Sequence, residues 1–125
     1  MIWFYIGVGG ALGAMARHAV NHVVHQRLLA TTFPLGILAI NVLGSAAIGV
    51  LAGLIASDRL NLSLELRTFL IVGVLGGFTT FSSFSLDTLT LIKSGQTDAA
   101  FANIAGQVGL SLIAVWCGYR VGAWS

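Results

Sequence analysis

The sequence predicts an all-α integral membrane protein with four transmembrane helices, and the distribution of its charged residues is the main reason. Hydrophobic residues make up 57% of the 125-residue chain and charged residues only 8%, whereas soluble domains carry roughly 25% charged residues. Uncharged stretches of thirty, nineteen and twenty-one residues follow Arg27, Arg67 and Asp98. Because a membrane helix needs about 20 apolar residues, each stretch can cross a bilayer.

We predict a single domain over residues 1–125, with spans at about residues 2–24, 33–56, 65–92 and 98–124. The first span follows no basic segment and runs on without a cleavage pattern of small residues, so we expect a membrane helix there and not a signal peptide. The net charge is only +2, which provides no basic patch for a nucleic acid. The expected surroundings are the lipid bilayer, with no nucleic-acid partner.

Every predicted span carries two glycines four residues apart. The pairs are Gly9 and Gly13, Gly49 and Gly53, Gly73 and Gly77, and Gly118 and Gly122. Such pairs let membrane helices approach closely, although ordinary glycine usage in membrane proteins would also produce some of them. The pattern favours a compact bundle with little room for an aqueous pore inside one chain, so a conduction route would form between subunits.

The lysines and arginines give almost no bias between the two sides of the membrane. With four spans each side receives about three of them: Arg59, Arg67 and Arg120 on one side, and Arg17, Arg27 and Lys93 on the other. Because cytoplasmic loops normally hold an excess of these residues, the charges choose no orientation. This permits insertion both ways and an antiparallel dimer, while a weak but sufficient bias explains the charges equally well.

The third predicted span contains a segment unlike a plain membrane helix, Gly76-Gly77-Phe78-Thr79-Thr80-Phe81-Ser82-Ser83-Phe84-Ser85. Two adjacent glycines weaken a helix, so we predict that the backbone opens at Gly76 and Gly77. Opened backbone at membrane depth must be surrounded by protein or water and not by lipid. The segment is therefore expected to line something polar, although its hydroxyls could serve only to satisfy the opened backbone.

Polar side chains at membrane depth are costly and mark candidate sites. Asn41 lies near the middle of the second span, where it is either hydrogen-bonding glue between helices or an amide that faces an anion. In the fourth span Gln107 and Ser111 lie one turn apart on one helix face, and Asn103 extends that face. These side chains form either a track of donors for an anion or ordinary contacts between helices.

The phenylalanines of the third span share a helix face, because Phe81 and Phe84 are three residues apart. A phenyl ring has a positive edge, and edges that point into a pathway favour an anion without holding it as tightly as a full charge would. Conduction requires binding weak enough for the ion to leave. From spacing alone, burial of both rings in packing is the simpler interpretation.

Arg17, near the end of the first span, could attract anions into a vestibule, pair with a carboxylate such as Asp87, or extend to the interface. His18, His22 and His25 have helical spacing, but they lack a neighbouring cysteine or carboxylate that would complete a metal site. The sequence contains no paired carboxylates, no nucleophile beside a His/Asp pair and no phosphate-binding glycine loop. We therefore predict that the protein is not an enzyme.

The chain resembles the Fluc/CrcB family of fluoride channels in three segments and over essentially its whole length. The most specific is Gly76-Gly77-Phe78-Thr79-Thr80-Phe81-Ser82-Ser83-Phe84 in the third span. The first and second spans agree through Gly9-Gly10-Ala11-Leu12-Gly13-Ala14-Met15-Ala16-Arg17 and Gly36-Ile37-Leu38-Ala39-Ile40-Asn41-Val42-Leu43-Gly44. One departure is Gln107, which stands where some members have a hydroxyl, and another is His18, where many members have an aromatic residue.

The resemblance implies a fluoride-selective channel that exports fluoride passively across the bacterial plasma (inner) membrane. It implies an antiparallel, dual-topology homodimer with a break in the third helix and two pathways at the subunit interface. The residues that it places on the fluoride pathway are Asn41, Thr80, Phe81, Phe84, Gln107 and Ser111. It further implies a central structural Na⁺ held by the backbone carbonyls of Gly76 and Thr79 from both subunits. Arg17 matches a first-helix arginine, in a vestibule or structural role.

Two other kinds of membrane protein compete with this interpretation. A small multidrug-type exporter also has four short spans, but it couples to protons through a carboxylate in the membrane, and the first span here has neither Asp nor Glu. A non-conducting scaffold subunit would explain the glycines and the polar contacts between helices. It gives no reason for Phe81 and Phe84 beside a helix break.

Overall fold

The protein is a bundle of helices joined by short connections. The computed structural model describes residues 1–28 and 33–124, and this part of the chain contains helices and no strand. We number the helices α1 (Ile2–Val23), α2 (Leu35–Ala56), α3 (residues 64–78), α4 (Phe81–Lys93) and α5 (Thr97–Gly122). A π-helical turn, Val24–Leu28, continues α1, and α3 contains a longer π-helical segment, Phe69–Leu75.

Three helical segments of the described chain are long and apolar enough to cross a membrane: Leu35–Ala56, Leu64–Lys93 and Thr97–Gly122. They agree with the predicted second, third and fourth spans to within a few residues, so the chain is a multi-pass membrane protein. Helix α1 has 22 residues but is not among the three, because Arg17, His18 and His22 make its second half polar. The predicted first loop falls mainly on residues 29–32, which lie outside the described residues.

The glycine pairs allow close contact between the helices of two pairs, as the sequence predicts. Helix α1 packs along α3, and α2 packs along α5. A Cβ atom added to Gly9 would lie 2.6 Å from the backbone oxygen of Phe69, and one added to Gly77 would lie 2.6 Å from that of Gly10. Because real Cβ atoms do not approach a backbone oxygen so closely, only glycine permits these helix separations.

A small apolar core lies where α2 meets α4. Its buried side chains are Ile37, Ile40 and Phe84, with Val20 and Phe78 packed against them. Most other large apolar side chains lie on the outside, such as Trp3 at 82% and Trp116 at 61% exposure. Soluble monomers rarely leave so much apolar surface exposed, so this surface is suited to lipid or to another copy of the chain.

The helix break lies at Thr79 and Thr80, and the prediction that the backbone opens at Gly76 and Gly77 is wrong. Gly76 is helical, with φ −64° and ψ −37°. Thr79 has ψ 157° and Thr80 has φ −154°, both in the extended region. The glycines instead allow close contact with α1, and packing there outweighs the weak helix propensity of glycine.

The close contact of α1 with α3 leads to a stability prediction. We expect Gly9→Ala to lower the free energy of unfolding by about 1–3 kcal/mol, because the new methyl group overpacks against backbone atoms that cannot move aside. The measurement is the thermal midpoint of the purified protein in detergent. The control is Gly7→Ala on the same helix, where a Cβ would meet no atom within 4 Å. Equal midpoints for the two variants would contradict the packing argument.

Candidate functional site

A groove of about 380 Å³ lies beside the helix break, between α2, α3, α4 and α5. Eight of the nine site residues predicted from the sequence line it: Asn41, Gly76, Thr79, Thr80, Phe81, Phe84, Gln107 and Ser111. None of its lining residues is charged, and apolar side chains such as Leu75 and Leu112 complete the wall. The groove therefore presents polar atoms on an otherwise apolar surface.

The two threonines at the break turn their hydroxyls toward the backbone. The Thr79 hydroxyl donates to the carbonyl of Leu75 at 3.0 Å. The Thr80 hydroxyl oxygen accepts from the backbone N–H of Ser83 at 3.1 Å, so Thr80 caps the start of α4. Both hydroxyls thus stabilise the ends of the broken helix, which is the structural alternative that the sequence left open.

Asn41 joins the first half of α2 to the break. Its Oδ1 accepts from the backbone N–H of Thr80 at 2.9 Å, and its Nδ2 donates to the Thr80 carbonyl at 3.0 Å. The same Nδ2 donates to Oε1 of Gln107 at 2.9 Å. Because the Thr80 N–H bonds to Asn41, it does not donate to Gly76, its normal i−4 partner in an α-helix.

A row of polar side chains continues from Gln107 back to α4. Gln107 Nε2 donates to Oδ1 of Asn103 at 3.4 Å, and Asn103 Nδ2 donates to Oγ1 of Thr88 at 3.0 Å. The Thr88 hydroxyl donates to the carbonyl of Phe84 at 2.9 Å. Asn103 is 0% exposed and Gln107 4% exposed, and burial makes satisfied bonds of this kind costly to break.

Ser111 stands one turn beyond Gln107 on α5 and differs from the bonded amides of Asn41 and Gln107. Its Oγ is buried and has no hydrogen-bond partner in the described part of the protein. A buried hydroxyl without a partner costs free energy unless something outside the chain bonds to it. Ser111 is therefore the clearest indication that the groove accepts a ligand.

The two phenylalanines of the break form an edge-to-face pair and differ in exposure. Their ring centroids are 5.2 Å apart, with an angle of 71° between the ring planes. Phe84 is 8% exposed and belongs to the core, whereas Phe81 is 76% exposed. Packing within one chain thus accounts for Phe84, as spacing alone suggested, and it leaves Phe81 free at the mouth of the groove.

Arg17 reaches the break from α1. It is half-buried, and its Nη1 donates to the carbonyl of Thr79 at 3.3 Å. Of the partners proposed from the sequence, a carboxylate such as Asp87 is therefore not the one it meets. A backbone carbonyl has two lone pairs, so Thr79 retains one for another donor or for a cation.

The histidines of α1 show no metal site. The rings of His18 and His22 stack with centroids 6.3 Å apart. No group of three or more histidine, cysteine, aspartate or glutamate side chains with suitable geometry occurs among residues 1–28 and 33–124.

Thr88 is the residue of the polar row that sequence reasoning missed. Its position four residues after Phe84, which is one helical turn, was the available signal.

Comparison with known proteins identifies close relatives. The model of the family described as "CrcB-like protein, Camphor Resistance (CrcB)" matches residues 4–119. A protein of Opitutus terrae named "Fluoride-specific ion channel FluC" is 46% identical over 119 residues, which are 94% of this chain and 89% of the relative. Proteins with the same name from Rhizobium etli (strain CIAT 652) and Campylobacter fetus subsp. fetus are 49% and 43% identical over 118 residues, 94% of this chain and 93% and 91% of theirs.

The contacts of Asn41 lead to a second stability prediction. We expect Asn41→Ala to lower the free energy of unfolding by about 1–3 kcal/mol for each buried group that it leaves without a partner, chiefly the N–H of Thr80 and Oε1 of Gln107. Asn61→Ala, at an exposed position in the connection between α2 and α3, is the control. Thermal unfolding of both variants in detergent measures the difference. If Asn41→Ala were as stable as its control, the break would be held by other contacts.

Proposed function

The chain belongs to the CrcB-like family, and on this premise we propose that it is a fluoride-selective ion channel. It lets fluoride leave the cytoplasm passively through the plasma membrane of a bacterium. The export lowers the cytoplasmic concentration of an ion that enters the cell as hydrogen fluoride. The named function of the relatives and the chemistry of the groove both support this proposal.

The observation that carries the proposal is the groove at the helix break. Fluoride is small and strongly hydrated, so a selective path must replace its water with close hydrogen-bond donors. The groove offers the unpartnered hydroxyl of Ser111 and the amide of Gln107. Since no lining residue is charged, the ion is held by dipoles and ring edges and can leave again, as conduction requires.

The path is completed by a second copy of the chain. One wall of the groove is open, and the exposed ring of Phe81 lies at that opening. A second copy related by a two-fold axis would close it, and the same symmetry would create a second, equivalent path. The weak charge bias allows the two copies to insert in opposite orientations, so an antiparallel homodimer with two pathways follows.

A structural Na⁺ at the dimer axis fits the residues at the break. Gly76 has lost its normal backbone donor, because the Thr80 N–H bonds to Asn41, and Thr79 keeps one lone pair beside Arg17. Carbonyl oxygens are suitable ligands for an alkali cation. Two carbonyls are too few for such an ion, so Gly76 and Thr79 of both copies would hold it. The bound ion would supply positive charge between the two broken helices.

Ion release from liposomes tests the function directly. Purified protein in liposomes loaded with fluoride is expected to release it when an ionophore lets K⁺ carry the compensating charge, as a fluoride electrode records. Chloride-loaded liposomes are the selectivity control, and empty liposomes give the leak. The protein mass in detergent reports whether the dimer is present. Absence of fluoride release above the leak from a folded dimer would contradict the proposal.

The exposed ring of Phe81 allows a clean test of the ring-edge contact. We expect Phe81→Ile to reduce fluoride release about tenfold without loss of stability, since an interaction of about 1.4 kcal/mol corresponds to a factor of ten and the side chain packs little within its own chain. Phe101→Ile is the matched control, because Phe101 is 66% exposed on α5 and lies outside the groove.

Phe84→Ile is expected to reduce release as well, but Phe84 is only 8% exposed, so its thermal midpoint must be measured alongside the flux. Unchanged release in both groove variants, with the dimer intact, would remove the ring-edge mechanism while leaving the channel itself in place.

A further inference from the structure

We infer that Gln107, and not Asn41, is the side-chain amide that donates a hydrogen bond to the conducted anion in this chain, beside the hydroxyl of Ser111. Asn41 is a positioning residue, which holds the helix break and orients Gln107. This inference rests on the proposed function, because it assigns the donors within the same groove.

All hydrogen-bonding atoms of the Asn41 side chain that matter for an anion are already used. Its two Nδ2 hydrogens go to the Thr80 carbonyl at 3.0 Å and to Gln107 Oε1 at 2.9 Å. A backbone N–H can only donate and a carbonyl can only accept, so turning the amide over would lose both bonds to Thr80. Asn41 has no N–H left to offer an ion.

The orientation of the Asn41 amide determines the orientation of the Gln107 and Asn103 amides. Because Asn41 donates, the atom of Gln107 that it meets is Oε1, and Gln107 Nε2 is turned toward Asn103 Oδ1. Asn103 then donates to Thr88, whose hydroxyl donates to the carbonyl of Phe84. The backbone sets the direction at both ends of this row, and no member can turn by itself.

On α5, two donors remain once these bonds are counted. One Nε2 hydrogen of Gln107 bonds to Asn103, and the second is free to donate. The Ser111 hydroxyl has no partner among residues 1–28 and 33–124. Both residues line the groove, one turn apart on the same helix, whereas Asn103 is fully buried behind them. An anion in the groove therefore finds its amide donor on α5, beside the Ser111 hydroxyl, whereas α2 contributes the hydroxyl of Ser45 to the groove wall and no free amide.

Two substitutions at position 107 separate donation from packing. Methionine has nearly the shape of glutamine but no N–H, and serine has a donor but leaves a cavity. We expect Gln107→Ser to release fluoride about tenfold faster than Gln107→Met, with a lower half-saturating fluoride concentration. If Gln107 only filled space, the order would be reversed. Equal or faster release by Gln107→Met would overturn the inference.

A spectroscopic measurement on the unaltered protein distinguishes Gln107 from Asn41 without relying on any variant's activity. The chain has only three glutamines and four asparagines, so selective ¹⁵N labelling of each residue type gives few side-chain amide signals. Fluoride is added at constant ionic strength against chloride. We expect the Gln107 signal to shift until it saturates, and the Asn41 signal to shift much less. Gln107→Met and Asn41→Asp identify the two signals by their absence.

A fluoride-dependent shift at Asn41 as large as that at Gln107, or no shift at Gln107, would overturn the assignment. These outcomes are distinct from failure of the channel proposal. If the unaltered protein releases no fluoride, the proposed function is wrong. If it releases fluoride but the position-107 variants or the amide signals behave otherwise than expected, only the donor assignment is wrong.

Discussion

The structure depends on one constraint, which is that a broken helix at membrane depth must find hydrogen-bond partners for its backbone without water. Thr79 and Thr80 leave the helical conformation, and lipid offers neither donors nor acceptors to the groups that they release. The Asn41 side chain takes both polar groups of the Thr80 backbone, and Arg17 takes the Thr79 carbonyl. These two side chains therefore help to hold the break beside which the groove lies.

Close helix packing puts those side chains within reach. The contact of α1 with α3 at Gly9 and Gly77 places Arg17 beside the break, and the glycine contacts of α2 with α5 place Asn41 against Gln107. A hydrogen bond of 2.9 Å between two side chains of different helices requires that the helix axes stay close along their length. The small residues therefore set the geometry of the polar groove as well as the stability of the bundle.

Apolar length predicted the second, third and fourth spans, and four-residue spacing predicted the glycine contacts, because both are local features. Most residues of the groove were named by the resemblance to the Fluc/CrcB family and not by their spacing. Sequence reasoning misplaced the break at Gly76 and Gly77. The position of the break depends on a distant acceptor, Asn41, which intercepts the Thr80 N–H, and no local propensity encodes that contact. The sequence also did not predict that both N–H groups of the Asn41 side chain are already bonded, or that Thr88 takes part in the row. Which atoms donate and which accept is set by partners on other helices.

The row of polar side chains that starts at Thr80 ends on the same helix, at the carbonyl of Phe84, after passing through α2 and α5. It therefore ties the start of α4 and its second turn to α2 and α5. A gate that opened by rotating or sliding α4 would have to break several buried bonds at once. These bonds fix the position of α4 relative to α2 and α5. We therefore expect an ion to pass along the groove without any movement of the helix that carries Phe81 and Phe84.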